Sequence, residues 1–145
     1  MKTSEKQIIV NHSAKDLYKI VLDIEKYPEF IPWCNQIIIK TKSNNKIQAD
    51  MVVNYKPFFP QVFTSHVAYN SKELSINTKY IEGPLKNLNT NWIFKKLNNK
   101  KTEVFFKLEF EFTNFIHQRL AEFFYNWIEN KMINCFIKRA NEVLD

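Results

Sequence analysis

Few residues in this chain have the type and spacing that chemistry requires. Cys34 and Cys135, with His12, His66 and His117, fall at intervals that resemble no metal site. Cys34 follows two prolines and a tryptophan and has no basic partner within that motif, so nothing marks it as a low-pKa nucleophile. A cysteine–histidine hydrolase would need His66 or His117 to approach it, and no orienting motif accompanies them. Glu109 and Glu111 stand at i and i+2, where paired carboxylates do acid–base work. On the exposed side of an amphipathic strand, pairing with lysines across the strand is the simpler use. The one glycine, Gly83, excludes a P-loop and a dinucleotide-binding glycine fingerprint, which need bare backbone against phosphate. No catalytic residue and no metal ligand is assigned, and the chain is expected not to be an enzyme.

Binding chemistry is better represented. Of 145 residues, 15% are aromatic, thirteen of them Phe. That ring volume suits a lined cavity or an exposed apolar patch, and equally a Phe-rich core. Burying one such side chain is worth roughly 1.5–3 kcal/mol, so the rings serve folding with no ligand at all. Net charge is +6. From Asn114 onward, Arg119, Lys131, Lys138 and Arg139 cancel Glu122, Glu129, Glu142 and Asp145, so the whole excess lies before residue 114. At 45% hydrophobic and 25% charged, the chain is one globular domain, residues 1–145. Met1 to Gln7 is polar and carries no signal-peptide core, and no apolar run reaches the roughly 20 residues of a membrane span. A cytoplasmic location and free thiols are expected.

Elements that would position these groups are legible from periodicity. Gln7 to Val10 is a short strand. Ser13 can cap a helix through the amides of Lys15 and Asp16, with Leu17, Ile20, Val21 and Ile24 at helical spacing. Pro28 and Pro32 confine Glu25 to Ile31 to a second short helix at most. Strands follow at Gln36 to Lys40, from Ile47 through Ala49, Met51 and Val53 to Tyr55, and at Val62 to Tyr69, Glu73 to Tyr80, Leu88 to Lys96 and Glu103 to Phe112. Short polar connections imply hairpins and an antiparallel meander. From about Phe115 to Leu144 the pattern is helical. Ile116, Leu120, Phe123, Phe124 and Trp127 share one apolar face; Ile133, Phe136, Ile137, Ala140 and Val143 share another, rotated away from it. The second face would dock on a partner chain or a bilayer, giving a homodimer or peripheral membrane contact.

Meander parity assigns the turns to ends. One end collects the lysines of three turns: Lys40, Lys42 and Lys46; Lys72; and Lys95, Lys96, Lys100 and Lys101. Such a basic rim attracts phosphate, in RNA or in anionic lipid; exposed turns are also commonly charged. The other end collects Lys56-Pro57-Phe58-Phe59-Pro60 and Glu82-Gly83-Pro84-Leu85. Phe58 and Phe59 in a proline-bracketed loop have three readings: pocket lid, membrane wedge or core.

Between these elements, Tyr27-Pro28-Glu29-Phe30-Ile31-Pro32-Trp33-Cys34 resembles the Tyr-Pro-x-Phe-hydrophobic-Pro-Trp-Cys motif of the coenzyme Q-binding START-like family, within the polyketide cyclase/dehydrase superfamily, which includes RatA-type ribosome-association toxins. Phe63-Thr64-Ser65 with Val67, Glu82 to Leu88 followed by Trp92 and Phe94, Phe106 to Phe112, and Phe136 to Ala140 extend the likeness over nearly the whole chain. It departs at Pro57-Phe58-Phe59-Pro60, where the family usually has a Gly-containing turn.

The resemblance implies an α+β helix-grip fold: a curved antiparallel sheet of about seven strands around a long C-terminal helix, with two short N-terminal helices, an internal hydrophobic cavity and no catalytic machinery. It offers two functions. One is ubiquinone or other polyisoprenoid binding, supporting respiratory electron transport at the inner membrane. The other is binding the large ribosomal subunit to block subunit association. Cavity candidates are Lys56, Phe58, Phe59, Phe63, Trp92, Phe106, Leu108, Phe110, Leu120, Phe124 and Trp127. The motif residues Tyr27, Pro28, Phe30, Pro32, Trp33 and Cys34 are expected to be mainly structural. No covalent cofactor is expected.

Overall fold

The computed structural model describes residues 2–53, 61–115, 118–119 and 125–144, with backbone alone for residue 2 and for 125–128. Seven strands form one antiparallel sheet: β1 Lys2–Val10, β2 Cys34–Lys42, β3 Lys46–Val53, β4 Gln61–Asn70, β5 Ser75–Glu82, β6 Leu85–Asn98 and β7 Lys101–Phe112. Their order across the sheet is β1-β7-β6-β5-β4-β3-β2, so β2 to β7 form an up-and-down meander and β1 closes onto β7. Helix α1 spans Ala14–Leu22, a 3-10 turn Ile24–Glu29, and the C-terminal helix α2 Tyr125–Val143. The expected α+β architecture is the one found.

The local signals act as elementary chemistry dictates. Ser13 is the N-cap of α1, its hydroxyl accepting from the Asp16 amide at 3.2 Å. Leu17, Tyr18 and Val21 are the buried face of that helix. At the β4–β5 turn the Asn70 side chain accepts from the amides of Lys72 and Glu73, both at 3.0 Å; at β6–β7, Asn98 accepts from Lys100 at 2.9 Å. Gly83 adopts φ 149°, and a Cβ there would lie 2.7 Å from the Val62 carbonyl oxygen, so the β5–β6 turn needs glycine.

Two expectations are corrected. β1 runs from Lys2 rather than Gln7, pairing with β7 over its whole length. Its first residues look too polar for a strand, but the inward Ser4 and Lys6 hydrogen-bond to Glu129 and Asn130 of α2. The second apolar face of the long helix is not spare. Ile133, Phe136 and Ala140 are buried in this chain's own core, Ile137 is half-buried, and only Val143 is exposed. The argument for a homodimer or membrane contact through that face therefore falls away.

Candidate functional site

The inner face of the sheet carries Ile47, Ala49, Met51 and Val53 of β3; Phe63, Ser65, Val67 and Tyr69 of β4; Ile76, Thr78 and Tyr80 of β5; Leu88, Thr90, Trp92 and Phe94 of β6; and Val104 to Phe112, alternately, of β7. It divides into two ends. Under α1 and the C-terminal part of α2 it is filled with rings. Trp92 stacks on Phe94 at 5.9 Å, lies 4.4 Å from Phe106 and meets Phe136 edge-on at 5.1 Å. The void left among Trp92, Phe94, Val104, Leu17, Ile133 and Phe136 is only about 20 Å³, room for a water molecule and no more. Trp92 and Phe106 are thus packed core.

Toward the β5–β6 turn the face changes character. Ala49 pairs with Ser65, and one row over Thr78 pairs with Thr90; across the β4–β5 seam Ser65 faces Tyr80 and Thr78 faces Val67. Beyond these pairs stand Phe63, Tyr80, Leu88 and Phe110. Ser65, Thr78, Phe63, Met51, Leu88 and Phe112 all face inward yet stay only half-buried. Phe63 meets Tyr80 edge-on at 6.1 Å, and the Tyr80 hydroxyl donates to the Leu85 carbonyl and accepts from its amide at 2.8 and 2.9 Å. Of the cavity candidates, Phe63 faces inward here and is half-buried, whereas Leu108 and Phe110 are buried in the core. Lys56, Phe58, Phe59, Leu120 and Phe124 lie outside the described residues, as does the Trp127 side chain, so the loop 57–60 is not assigned as lid, wedge or core.

Glu129 is a buried acidic residue that composition and motifs did not single out. It is only 5% exposed, in the stripe Glu129, Ile133, Phe136, Ala140, and the Ser4 hydroxyl donates to it. The available signal was a charge in register with an apolar helical stripe.

The Tyr27 to Cys34 motif is a clamp. The Tyr27 hydroxyl donates to the Val21 carbonyl, and Tyr27, Phe30 and Phe136 pack edge-on in a ring triad at 5.3–5.7 Å. Arg139 lies 5.2 Å over Phe30 and 3.1 Å from Glu29, tying α2 to the 3-10 turn. Burial pushes the Cys34 thiol up to about 11 and raises the Tyr27 phenol as well. Pro32 is exposed and Trp33 half-buried against the core.

Other chemical candidates are dispersed. His66 lies on the outer face, 3.3 Å from Gln48, away from the buried Cys34. Lys107 pairs with Glu109 at 3.3 Å and Lys86 with Glu111 at 3.4 Å. Cys34 and Cys135 are free, and no metal-binding cluster occurs among the described residues. His117 lies outside them.

The lysines gather as meander parity requires. Lys42, Lys46, Lys72, Lys95, Lys96, Lys100 and Lys101 are exposed at the end bearing the β2–β3, β4–β5 and β6–β7 turns, and none makes an ion pair among the described residues. Lys40 is spent on Asp50 at 3.4 Å. An open groove of about 350 Å³ lies at this end, lined by Lys19, Asp23, Glu25, Ile39, Lys42 and Tyr69 among others; no cavity candidate borders it. No helix among the described residues is long and apolar enough to cross a membrane.

A seven-stranded antiparallel sheet curved around a C-terminal helix, with short N-terminal helices, defines a helix-grip protein of the START type. The chain belongs to the family described as polyketide cyclase / dehydrase and lipid transport, whose model matches residues 10–137. Among relatives, the ribosome association toxin RatA of Vibrio cholerae is 29% identical over 143 residues, covering 99% of this chain and 98% of that protein. The mitochondrial coenzyme Q-binding protein COQ10 of Drosophila melanogaster is 28% identical over 139 residues, covering 93% of this chain and 57% of that one. A START superfamily protein from Mycobacterium smegmatis superposes with a TM-score of 0.85 at 19% identity, over 98% of this chain and 99% of its own, a likeness of fold.

Proposed function

We propose that this protein binds a hydrophobic ligand, ubiquinone or another polyisoprenoid lipid, and carries or shields it without converting it. The carrying observation is the two pairs of short side chains, Ala49 with Ser65 and Thr78 with Thr90, beside inward residues that stay half-buried on an otherwise ring-rich face. Short inward residues with apolar neighbours and a few hydroxyls suit a greasy molecule with a polar ring. The lipid-transport element of the family description and the name of the COQ10 relative point the same way. Non-conversion rests on the fate of the chemical candidates: a buried thiol held protonated, an outer-face histidine and ion-paired carboxylates. Such a carrier would work in the cytoplasm beside the membrane that holds these lipids. Mass spectrometry of an organic extract of the purified protein tests it. Near-stoichiometric quinone or polyisoprenoid is the expected result; a clean extract, even after incubation with added quinone, would overturn it.

The seven lysines that make no ion pair among the described residues favour a second reading, association with the large ribosomal subunit through phosphate contacts, in line with the name of the RatA relatives. Cosedimentation with large subunits should then weaken steeply with salt. The combined substitution Lys95→Glu, Lys96→Glu, Lys100→Glu and Lys101→Glu should abolish it; unchanged binding would remove the rim as the contact.

A further inference from the structure

The basic end of the sheet holds a groove whose apolar floor neither reading above uses. It opens between the C-terminal turn of α1, the 3-10 turn and strands β2 to β4, with a volume of about 350 Å³, within the range of small-ligand pockets. Leu22 of α1, Ile39 of β2, Ile47 of β3 and Tyr69 of β4 form the floor, and all four are buried or half-buried. The Tyr69 hydroxyl donates to the Ser43 carbonyl at 3.0 Å, which holds that ring in place. Four exposed charges edge the floor: Lys19, Lys42, Asp23 and Glu25. None of these four side chains makes an ion pair or a hydrogen bond among the described residues.

Charge decides what fits. The two carboxylates cancel the two ammonium groups, so the groove is neutral, whereas the turns at this end carry Lys46, Lys72, Lys95, Lys96, Lys100 and Lys101. A phosphate is drawn to the turns and opposed by Asp23 and Glu25. An uncharged flat ring suits the apolar floor, and amino groups on its edge meet the carboxylates, which only accept. Single-stranded RNA joins these parts in one molecule, because its unstacked bases splay out from a charged backbone. Rim lysines flank the floor on two turns. Lys46 pairs with Ala68, next to Tyr69, and Lys72 stands three residues beyond Tyr69 in the β4–β5 turn. We propose that the groove takes one unpaired RNA base bearing an exocyclic amino group, while the lysines of the rim hold the flanking phosphates. This rests on the ribosomal reading of the rim and narrows its target from phosphate in general to an unpaired nucleotide. Asp23 and Glu25 are then the specificity-determining residues: a carboxylate accepts from the N4 amino group of cytosine, where uracil presents a carbonyl oxygen.

The test is fluorescence anisotropy of labelled oligocytidylate, oligouridylate and an RNA duplex of equal length, titrated with the full chain at one salt concentration. The wild-type protein should bind oligocytidylate about tenfold more tightly than the duplex, the scale of one lodged base, and about fivefold more tightly than oligouridylate. The double substitution Asp23→Asn with Glu25→Gln changes two exposed side chains and should bring the two strands to equal affinity, with oligouridylate bound no more weakly than before. Carboxylates that merely repel RNA would, once neutralised, raise both affinities alike and leave the ratio unchanged; that result overturns the proposal. Equal affinity of the wild-type protein for single strand and duplex also overturns it, leaving the rim as a plain phosphate contact. Competition by cytidine monophosphate at the same concentration as the oligomer would make the occupant a free nucleotide and overturn the assignment to an RNA strand. Binding to none of these RNAs overturns the phosphate reading of the rim itself.

Discussion

The two ends of the inner face are built by the same strands and the same alternation, yet they do different work. At one, Trp92, Phe94, Phe106 and Phe136 interlock under α1 and leave about 20 Å³. At the other, Ser65, Thr78 and Thr90 replace rings, and inward residues such as Phe63 and Leu88 stay half-buried. The difference lies in side-chain volume at equivalent strand positions, not in backbone. One end holds the fold together; the other gives up burial at several inward positions.

This contrast is broken or sharpened most by deletion at the filled end. Phe136→Ala removes the ring shared by Tyr27, Phe30 and Trp92 and should cost about 3–5 kcal/mol in urea unfolding, the usual range for a buried Phe. A loss under about 1 kcal/mol would mean that the filled end is looser than its geometry indicates. Cys34 gives a pH-dependent check on burial where the motif meets β2. Its thiol is raised from 9.0 to about 11, so the unfolded chain loses that proton first. Stability should be intact below about pH 9 and fall by roughly 2 kcal/mol as pH rises to about 11, and Cys34→Ala should flatten that part of the profile.

At the open end, backbone and side chain should separate. Gly83→Ala meets both a positive φ and the Val62 carbonyl, and should lower stability by about 1–3 kcal/mol in thermal unfolding. Ser65→Leu adds volume at a half-buried position, and should shift stability by less than about 1 kcal/mol while lowering ligand affinity at least tenfold. A stability loss of the size expected for overpacking, about 1–3 kcal/mol, would show that this position is already full.

Much of this was written in the chain order. Ile47-x-Ala49-x-Met51 and Val104 to Phe112 announce strands with one inward face, because successive side chains point to opposite sides. Ser13 announces a helix start through a local hydrogen bond, and Pro28 with Pro32 stops a helix by removing amide donors. Meander parity then gathers the lysines of three turns at one end, since each hairpin reverses the chain. The spare helical face assigned to Ile133 and Phe136 failed because periodicity shows that apolar residues share a side, not what already covers it.

The sequence by itself determined the strands, the meander, the clamp motif and the basic rim, all of which follow from periods and turns a few residues long. Only the tertiary structure decided that Trp92, Phe106 and Phe110 fill core while Phe63 stays half-buried, and that Glu129 lies buried against Ser4, 125 residues away. Those outcomes depend on the distance between sheet and helix, which is set by the summed volumes of side chains from every element at once and is encoded in no single stretch of chain.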